Sequence, residues 1–107
     1  MQPFTERVIK IILSIPAGRV MSYGQIARCA GNPRAARQVA RFLHSLSEKH
    51  SLPWHRVVNA KGEIAIKEEN SKKTQHALLE AEGVTIINDR ISLKEYHYSP
   101  AFIFEEY

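Results

Sequence analysis

The stretch SYGQIARCAGNPRAARQVARFLHSL constrains the fold more than any other part of this 107-residue chain. Ser22, followed by a glutamine three residues later, is typical of a helix N-terminus, and Gly31 suits the left-handed position after a helix end. Asn32 and Pro33 then predict the N-cap and first turn of a second helix. Two helices joined by the residues AGN predict a helix-turn-helix, although many short helical pairs share this pattern.

The second helix of this pair carries a row of arginines on one side. At about 100° per residue, Arg34, Arg37 and Arg41 fall within one narrow stripe. Roughly opposite lie the side chains expected to face the core: Ala36, Val39, Leu43 and Leu46. Such a helix either presents its guanidinium groups to a nucleic acid or is an ordinary surface helix with exposed arginines.

Basic residues are concentrated in the middle of the chain. Residues 19–61 contain eight Lys or Arg and one acidic residue, whereas the whole chain has a net charge of only +4. A basic centre on an otherwise slightly acidic chain favours a polyanionic partner such as nucleic acid. A solvated basic face without a ligand would give the same count.

Length and cysteine content limit the remaining classes of protein. A chain of this length is expected to form one domain, residues 1–107. Its single cysteine, Cys29, allows no intramolecular disulfide and favours a reducing compartment. The apolar run VIKIILSI is too short for a membrane span and lacks a signal-peptide pattern. We therefore expect a cytosolic protein that is not secreted and does not bind membranes.

The rest of the chain predicts two further helices and two hairpins. Apolar residues recur at helical spacing from Phe4 onward, and SKKTQHALLEAEG predicts a helix with Ser71 as its N-cap. RVVNAKGEIAI and VTIINDRISL each predict a β-hairpin, the second turning at Asn88 and Asp89. The aromatic C-terminal segment is expected to pack back on the domain. The predicted fold is α+β and mainly helical, a winged helix-turn-helix-like arrangement with short β-hairpins.

The residues alone indicate neither a metal site nor a nucleophile. Five histidines and one cysteine show no metal-ligand spacing, and we expect no metal and no cofactor. Cys29 is expected on the core side of its helix, as an unreactive thiol. The only tryptophan, Trp54, precedes His55 and Arg56 in LPWHRVV. Its indole could stack on a base, wall an apolar pocket or anchor the core.

Four ordered stretches together resemble one family. IPAGRVMSYGQIA, GNPRAARQVA, LPWHRVV and LLEAEGV are similar to the DNA-binding, active-site (C-terminal) domain of O6-alkylguanine-DNA alkyltransferases, over nearly all of residues 4–95. The family pattern around the nucleophile is Pro-Cys-His-Arg-Val, and Trp54 occupies the place of the cysteine. That replacement is the hallmark of the alkyltransferase-like proteins, which resemble the repair enzyme but cannot take the alkyl group.

The resemblance implies a DNA lesion sensor that is not an enzyme. In the family, the helix-turn-helix docks on the minor groove and a damaged guanine is rotated out of the duplex. A protein of this kind would hold O6-alkylguanine without alkyl transfer and mark it for nucleotide excision repair. Double-stranded DNA containing O6-alkylguanine and nucleotide excision repair proteins are the implied partners, and we expect a monomer.

The resemblance also assigns roles to single residues. Tyr23 matches the tyrosine that crowds the phosphate 3′ of the flipped nucleotide, and Arg37 matches the arginine finger that replaces the lost base. Trp54 would wall the lesion pocket. His55 and Glu82 match the proton-handling pair of the family and are expected to be structural, because there is no cysteine to activate.

The expected site residues form two overlapping groups. Those expected to bind DNA are Tyr23, Arg34, Arg37 and Arg41. Those expected to form the lesion pocket are Tyr23, Trp54, Arg56 and Lys67, and Arg56 is also expected to brace its loop through a backbone or carboxylate partner.

Two positions depart from the family pattern. Lys67 falls where some alkyltransferase-like proteins carry an arginine that probes the base, and lysine lacks the planar fork needed to stack there. Phe42 stands where the family often has a small residue. It is expected either to pack internally or to wedge against the DNA backbone.

Two other functions remain open from the residues alone. A winged-helix regulator would read base sequence in the major groove without regard to an alkyl group, but it leaves Tyr23 and the PWHR motif unexplained. A true alkyl transferase using Cys29 or a histidine would gain mass on incubation with alkylated DNA.

Overall fold

The structure is a computed structural model that describes residues 3–100. Its elements follow in the order α1 (Phe4–Ser14), β1 (Met21–Ser22), α2 (Tyr23–Cys29), α3 (Ala36–His50), a 3₁₀ turn (Trp54–Arg56), β2 (Val57–Val58), α4 (Glu69–Ala81) and α5 (Leu93–Tyr96). The prediction of a mainly helical α+β fold is confirmed. No helix within the described residues is long and apolar enough to cross a membrane.

The main core is built where α1 packs against α2 and α3. Val8, Ile11 and Ile12 are fully buried, as their spacing in the sequence predicts. α1 also buries Arg7, whose Nε donates to the carbonyl oxygen of Ala30 at 2.7 Å. Because Ala30 is the C-cap of α2, this bond fixes the first helix of the pair against α1.

The helix-turn-helix is present, with a different start to its second helix. Ser22 caps α2 by accepting a hydrogen bond from the Gln25 amide at 3.2 Å, and Gly31 has a φ of 97°, as predicted. The Gln25 side chain does not complete a capping box, since its Nε2 donates to the carbonyl oxygen of Tyr98 at 2.9 Å. This bond attaches the C-terminal segment to α2.

The prediction that Asn32 and Pro33 begin the second helix is wrong. Asn32 instead organises the turn between the helices, because its side chain accepts from the Arg34 amide at 3.3 Å and its carbonyl from the Ala35 amide at 3.1 Å. The helix begins at Ala36. Arg34 consequently lies in the turn, ahead of the helical stripe in which the sequence placed it.

The sheet also differs from the prediction. β1 and β2 pair in parallel, with Met21 beside Val57 and Ser22 beside Val58. Of the hairpin predicted over RVVNAKGEIAI, the turn is present, because the Asn59 amide donates to the Glu63 carbonyl at 3.1 Å, but within residues 3–100 no second strand of the hairpin pairs with β2. Both valines are buried, which suits a parallel strand covered on its two faces. The second predicted turn is confirmed, with positive φ at Asn88 and Asp89. In the described chain, the residues on its two sides form a single antiparallel bridge, Ile87 with Arg90, and no longer strands.

A second, smaller core joins α4 to the C-terminal part of the chain. Its buried members are Val20, Val58, Ile64, Leu79, Val84 and Ile91. α4 begins earlier than predicted, because the Glu68 side chain, not Ser71, caps it by accepting from the amides of Asn70 and Ser71. Tyr98 packs on the main core as expected of the aromatic tail, while residues 101–107 lie outside the described chain.

Candidate functional site

The segment LPWHRVV folds into a tight turn, Trp54–Arg56, that leads into β2. The Trp54 amide donates to the Leu52 carbonyl at 2.8 Å, and the Arg56 amide donates to the Pro53 carbonyl at 3.0 Å. The indole is half-buried against the main core, and its ring lies edge-on to the His55 ring with centroids 6.3 Å apart. We call Trp54–Arg56 the tryptophan turn; its indole keeps part of its surface open to a ligand.

A single carboxylate holds the two side chains that follow the tryptophan. Glu82, at the end of α4, accepts from His55 Nε2 at 2.8 Å and from Arg56 Nη2 at 2.6 Å. It also accepts from the Gly18 amide at 3.0 Å. Gly18 has a φ of 84°, a left-handed conformation that glycine adopts most easily. A Cβ at this position would also lie only 3.1 Å from the Glu82 carbonyl oxygen, so both the backbone and the close contact favour glycine.

Arg56 braces the tryptophan turn from a third direction. Its Nη1 donates to the Ile15 carbonyl at 2.9 Å, just past the end of α1. Arg56 therefore has both a backbone and a carboxylate partner, which confirms the expectation for this residue. His55 and Glu82 belong to the same network, which joins α1, the turn and α4.

The network keeps Glu82 ionised. Burial alone would raise the pKa of this carboxyl group, but the hydrogen bonds from Arg56, His55 and the Gly18 amide outweigh it and lower the pKa to about 2. An anionic Glu82 with a hydrogen-bonded imidazole is an arrangement that can activate a neighbouring nucleophile. The residue before His55 is a tryptophan, and an indole has no nucleophile to activate.

Cys29 does not supply the missing thiol. It is 5% exposed, in α2 and within the main core, as predicted. Burial raises the pKa of its thiol, with a partial opposing effect from Arg28. A buried thiol that resists ionisation is a poor nucleophile, so the structure gives no support to an alkyl transferase based on Cys29.

The arginines of the helix-turn-helix form an open basic surface. Arg37 and Arg41 are exposed on α3, as the stripe predicts, and Arg34 is exposed in the preceding turn. None of the three guanidinium groups has a hydrogen bond or salt bridge to another residue between 3 and 100. The cationic groups are therefore available to a polyanion.

Phe42 lies on the inner side of the same helix. Its ring is half-buried on the main core and 6.1 Å, centroid to centroid, from the ring of Phe4 in α1. Of the two alternatives that the sequence left for this residue, the structure selects internal packing.

Tyr23 and the tryptophan turn are joined through the sheet. Tyr23 opens α2 directly after β1, and β1 pairs with the strand that follows the turn. Tyr23 and Trp54 both pack on the main core, and burial raises the pKa of the Tyr23 phenol. Lys67 is exposed, without a hydrogen bond or salt bridge to the described chain.

The grouping of Tyr23, Trp54, Arg56 and Lys67 into one lesion pocket stays a prediction. Two depressions of the described surface lie elsewhere, one along α4 beside Asp89 and the other beside Ile87. No three His, Cys, Asp or Glu side chains of residues 3–100 are arranged to hold a metal ion.

Two residues of the site escaped the sequence analysis. Gly18 lies beyond the end of α1, and its amide donates to Glu82 from a backbone with positive φ. Gln75 is buried in α4 and donates to the main chain of the tryptophan turn. Gln75 lies four residues before Leu79, a helical spacing that places it on the buried face of α4. A polar residue at such a position is the sequence feature that could have indicated its role.

The fold and site define a class of protein: a helix-turn-helix domain with exposed arginines, carrying an active-site-like network of His55, Arg56 and Glu82 beside a tryptophan. The family model for the 6-O-methylguanine DNA methyltransferase DNA-binding domain matches residues 3–84. The chain belongs to this family, and the resemblance drawn from its sequence is confirmed.

Two curated relatives are similar along most of their length. The DNA base-flipping protein of Escherichia coli K12 is 44% identical over 97 residues, which cover 90% of this chain and 74% of that protein. Alkyltransferase-like protein 1 of Schizosaccharomyces pombe is 36% identical over 106 residues, which cover 94% of this chain and 98% of that protein.

Solved structures give the same result for the fold. The crystal structure of S. pombe Atl1 in complex with damaged DNA containing O6-carboxymethylguanine matches with a TM-score of 0.83 and 35% identity, over 94% of this chain and 100% of that one. Mycobacterium tuberculosis O6-methylguanine methyltransferase matches with a TM-score of 0.57 and 37% identity, over 77% of this chain and 49% of that one. The predicted likeness to the alkyltransferase domain is confirmed.

Proposed function

We propose that this protein recognises O6-alkylguanine in double-stranded DNA and holds it without transferring the alkyl group. One observation carries the proposal: Trp54 stands where the family has its acceptor cysteine, while the network of His55, Arg56 and Glu82 around it is complete. With its only thiol buried, the protein is a binder and not an enzyme. The relatives named for base flipping and for binding of damaged DNA support this conclusion.

DNA engages the helix-turn-helix from the minor groove in this proposal. Arg34 and Arg41 bind the phosphate backbone, Tyr23 crowds the phosphate beside the target nucleotide, and Arg37 enters the base stack in place of the extruded guanine. Extrusion costs a few kcal/mol, and less where alkylation has already weakened the base pair. The three arginines are exposed, and their guanidinium groups have no partner within residues 3–100, which supports their assignment.

The extruded base lies against Trp54 in a pocket formed with Tyr23, Arg56 and Lys67. Stacking or apolar contact with an indole contributes ~1–3 kcal/mol per base. Arg56 acts mainly through the turn that it braces. Lys67 reads the alkylated base as a point charge, more weakly than the arginine of some relatives would.

A paired titration tests the proposal. The protein is titrated with a duplex containing one O6-methylguanine and with its undamaged twin, and the intact protein is then weighed by mass spectrometry. We expect tighter binding to the damaged duplex, weakening of both affinities with salt, and an unchanged protein mass.

The same titration identifies the alternatives. Equal affinities for the two duplexes, with a strong dependence on base sequence, would indicate a winged-helix regulator. A mass increase equal to one methyl group would indicate a transferase. Either result would refute the proposed function.

Replacing Arg37 with alanine should weaken binding to the alkylated duplex roughly tenfold, because a side chain that fills the gap in the base stack is lost. Lys61→Ala is the control, since Lys61 is exposed in a turn outside the helix-turn-helix. Loss of a phosphate contact there should weaken binding to both duplexes alike. Equal losses for the two variants would show that Arg37 touches only the DNA backbone.

Nucleotide excision repair proteins are proposed as the partners that act after binding. The bound lesion, held but unrepaired, requires another activity to remove it. We further propose that the protein acts as a monomer, in the cytoplasm with the nucleoid or in the nucleus. Sedimentation of the protein with and without an alkylated duplex tests the monomer, and a dimer in both states would contradict it.

A further inference from the structure

Gln75 is a buried polar residue that the proposed function does not use. It lies on the inner face of α4 and is 1% exposed. Its Nε2 donates to the carbonyl oxygen of His55 at 3.0 Å and to that of Val57 at 3.1 Å. These two carbonyls flank Arg56, so one amide group holds the main chain on both sides of the last residue of the tryptophan turn.

The other end of the same side chain is unsatisfied. The Gln75 Oε1 is buried and finds no hydrogen-bond donor among residues 3–100. An unpaired buried acceptor opposes folding, whereas an apolar side chain of the same size would fill this space without that penalty. Packing alone therefore does not account for a glutamine here, and its benefit lies in the two bonds that Nε2 donates.

Gln75 and Glu82 restrain the tryptophan turn in different ways. Glu82 binds the side chains of His55 and Arg56 and does not itself hold the peptide planes of the turn. Gln75 binds the carbonyls themselves and so fixes the direction of those planes. The direction of the turn decides where the indole of Trp54 projects.

We infer that Gln75 is the positioning residue of the tryptophan turn, and that it sets how well the protein separates alkylated from intact DNA. The second half of this inference rests on the proposed function. Gln75 does not contact the base in this account and acts only through Trp54. Its effect should consequently appear in discrimination between duplexes and not in general DNA affinity.

The test uses Gln75→Met, which keeps the length of the side chain and removes its donors. Ile91→Val is the matched control, because Ile91 is buried in the second core and makes no hydrogen bond to the turn. Trp54 is the only tryptophan, so its fluorescence reports on the turn alone. We expect stronger acrylamide quenching of Trp54 in free Gln75→Met, with quenching unchanged in the control.

Binding measurements complete the test. In Gln75→Met, the ratio of affinities for the O6-methylguanine duplex and its undamaged twin should fall roughly tenfold, as when an outer hydrogen bond that orients a contacting group is lost. Affinity for the undamaged duplex should stay within about twofold, since the arginines of the helix-turn-helix are untouched. The control should keep the ratio of the original protein.

Three results would overturn the inference: unchanged quenching in Gln75→Met, the same change in Ile91→Val, or an equal loss of affinity for both duplexes. If the original protein fails to discriminate, the proposed function fails, and the quenching data still decide whether Gln75 positions the turn. If Gln75→Met does not fold, hydrogen exchange of the original protein tests whether Gln75 restrains the turn. The side-chain amide protons of Gln75, which donate the two bonds, should exchange much more slowly than those of the exposed Gln38, and equally fast exchange would refute the restraint.

Discussion

Glu82→Gln should lower the free energy of unfolding by about 3 kcal/mol at pH 7. The carboxylate accepts hydrogen bonds from His55, Arg56 and the Gly18 amide, and these lower its pKa from 4.5 to about 2 in spite of its burial. Each pKa unit corresponds to about 1.4 kcal/mol of preference for the ionised form in the folded state. An amide at this position keeps the shape of the side chain but loses the charge that the Arg56 guanidinium requires.

The loss should depend on pH in a defined direction. Because the pKa of Glu82 is lower in the folded than in the unfolded chain, its contribution is fully present above pH 4.5 and is lost as the pH falls toward 2. The stabilities of the original protein and of Glu82→Gln should therefore converge across this interval. Urea unfolding at a series of pH values measures both curves.

Glu80→Gln is the matched control for this series. Glu80 is exposed on the same helix and makes no salt bridge to another residue between 3 and 100, so its replacement should change stability little at any pH. A pH-independent difference between Glu82→Gln and the original protein would show that shape, and not charge, is what Glu82 contributes.

Trp54→Ala should reduce the preference for alkylated over undamaged DNA by ~1–3 kcal/mol, which is roughly a 5- to 150-fold change in the affinity ratio. The reason is the partly exposed indole that the tryptophan turn presents in place of a thiol. Affinity for undamaged DNA should change little, because the arginines of the helix-turn-helix remain. Titration of the two duplexes against the variant measures the ratio.

Loss of an aromatic side chain from the main core also lowers stability, and Phe4→Ala controls for it. Phe4 is a half-buried aromatic residue on the same core, at the start of α1 and outside the tryptophan turn. Its variant should be destabilised and still discriminate. An unchanged ratio in Trp54→Ala would mean that the indole serves only to anchor the core.

Local features of this fold could be predicted from the sequence, and contacts between distant segments could not. The spacing of Val8, Ile11 and Ile12 predicts α1 because helical periodicity is a local property. Gly31 likewise marks the end of α2. Val57 and Val58 pair with β1, which lies more than 30 residues earlier in the chain. The local pattern around the two valines indicates only a strand followed by a turn, so it favours a hairpin and gives no sign of the distant partner.

Helix starts were mispredicted where several capping residues follow one another. Glu68 caps α4 three residues before the serine that the sequence favoured, and Asn32 closes a turn in place of beginning α3. Side chains of this kind offer the backbone more than one hydrogen-bonded conformation, and tertiary packing selects among them.

The candidate site was predicted mainly through family resemblance. A backbone or carboxylate partner was expected for Arg56, and the structure has both, the Ile15 carbonyl and Glu82. The contributions of Gly18 and Gln75 depend on the approach of two loops to α4, which composition and periodicity do not indicate. Phe42 had two possible roles, and only the position of α1 decides between them.

The short parallel pairing of β1 with β2 has a consequence for the thermodynamics of recognition. Tyr23 directly follows β1, and the tryptophan turn directly precedes β2. The pairing of the two strands therefore sets the distance between Tyr23 and the turn when the chain folds. Two groups held at a fixed spacing lose little conformational freedom when a ligand arrives. Folding alone orders Tyr23 and the tryptophan turn relative to each other. Binding of a nucleotide therefore requires no further loss of conformational entropy to bring these two groups together.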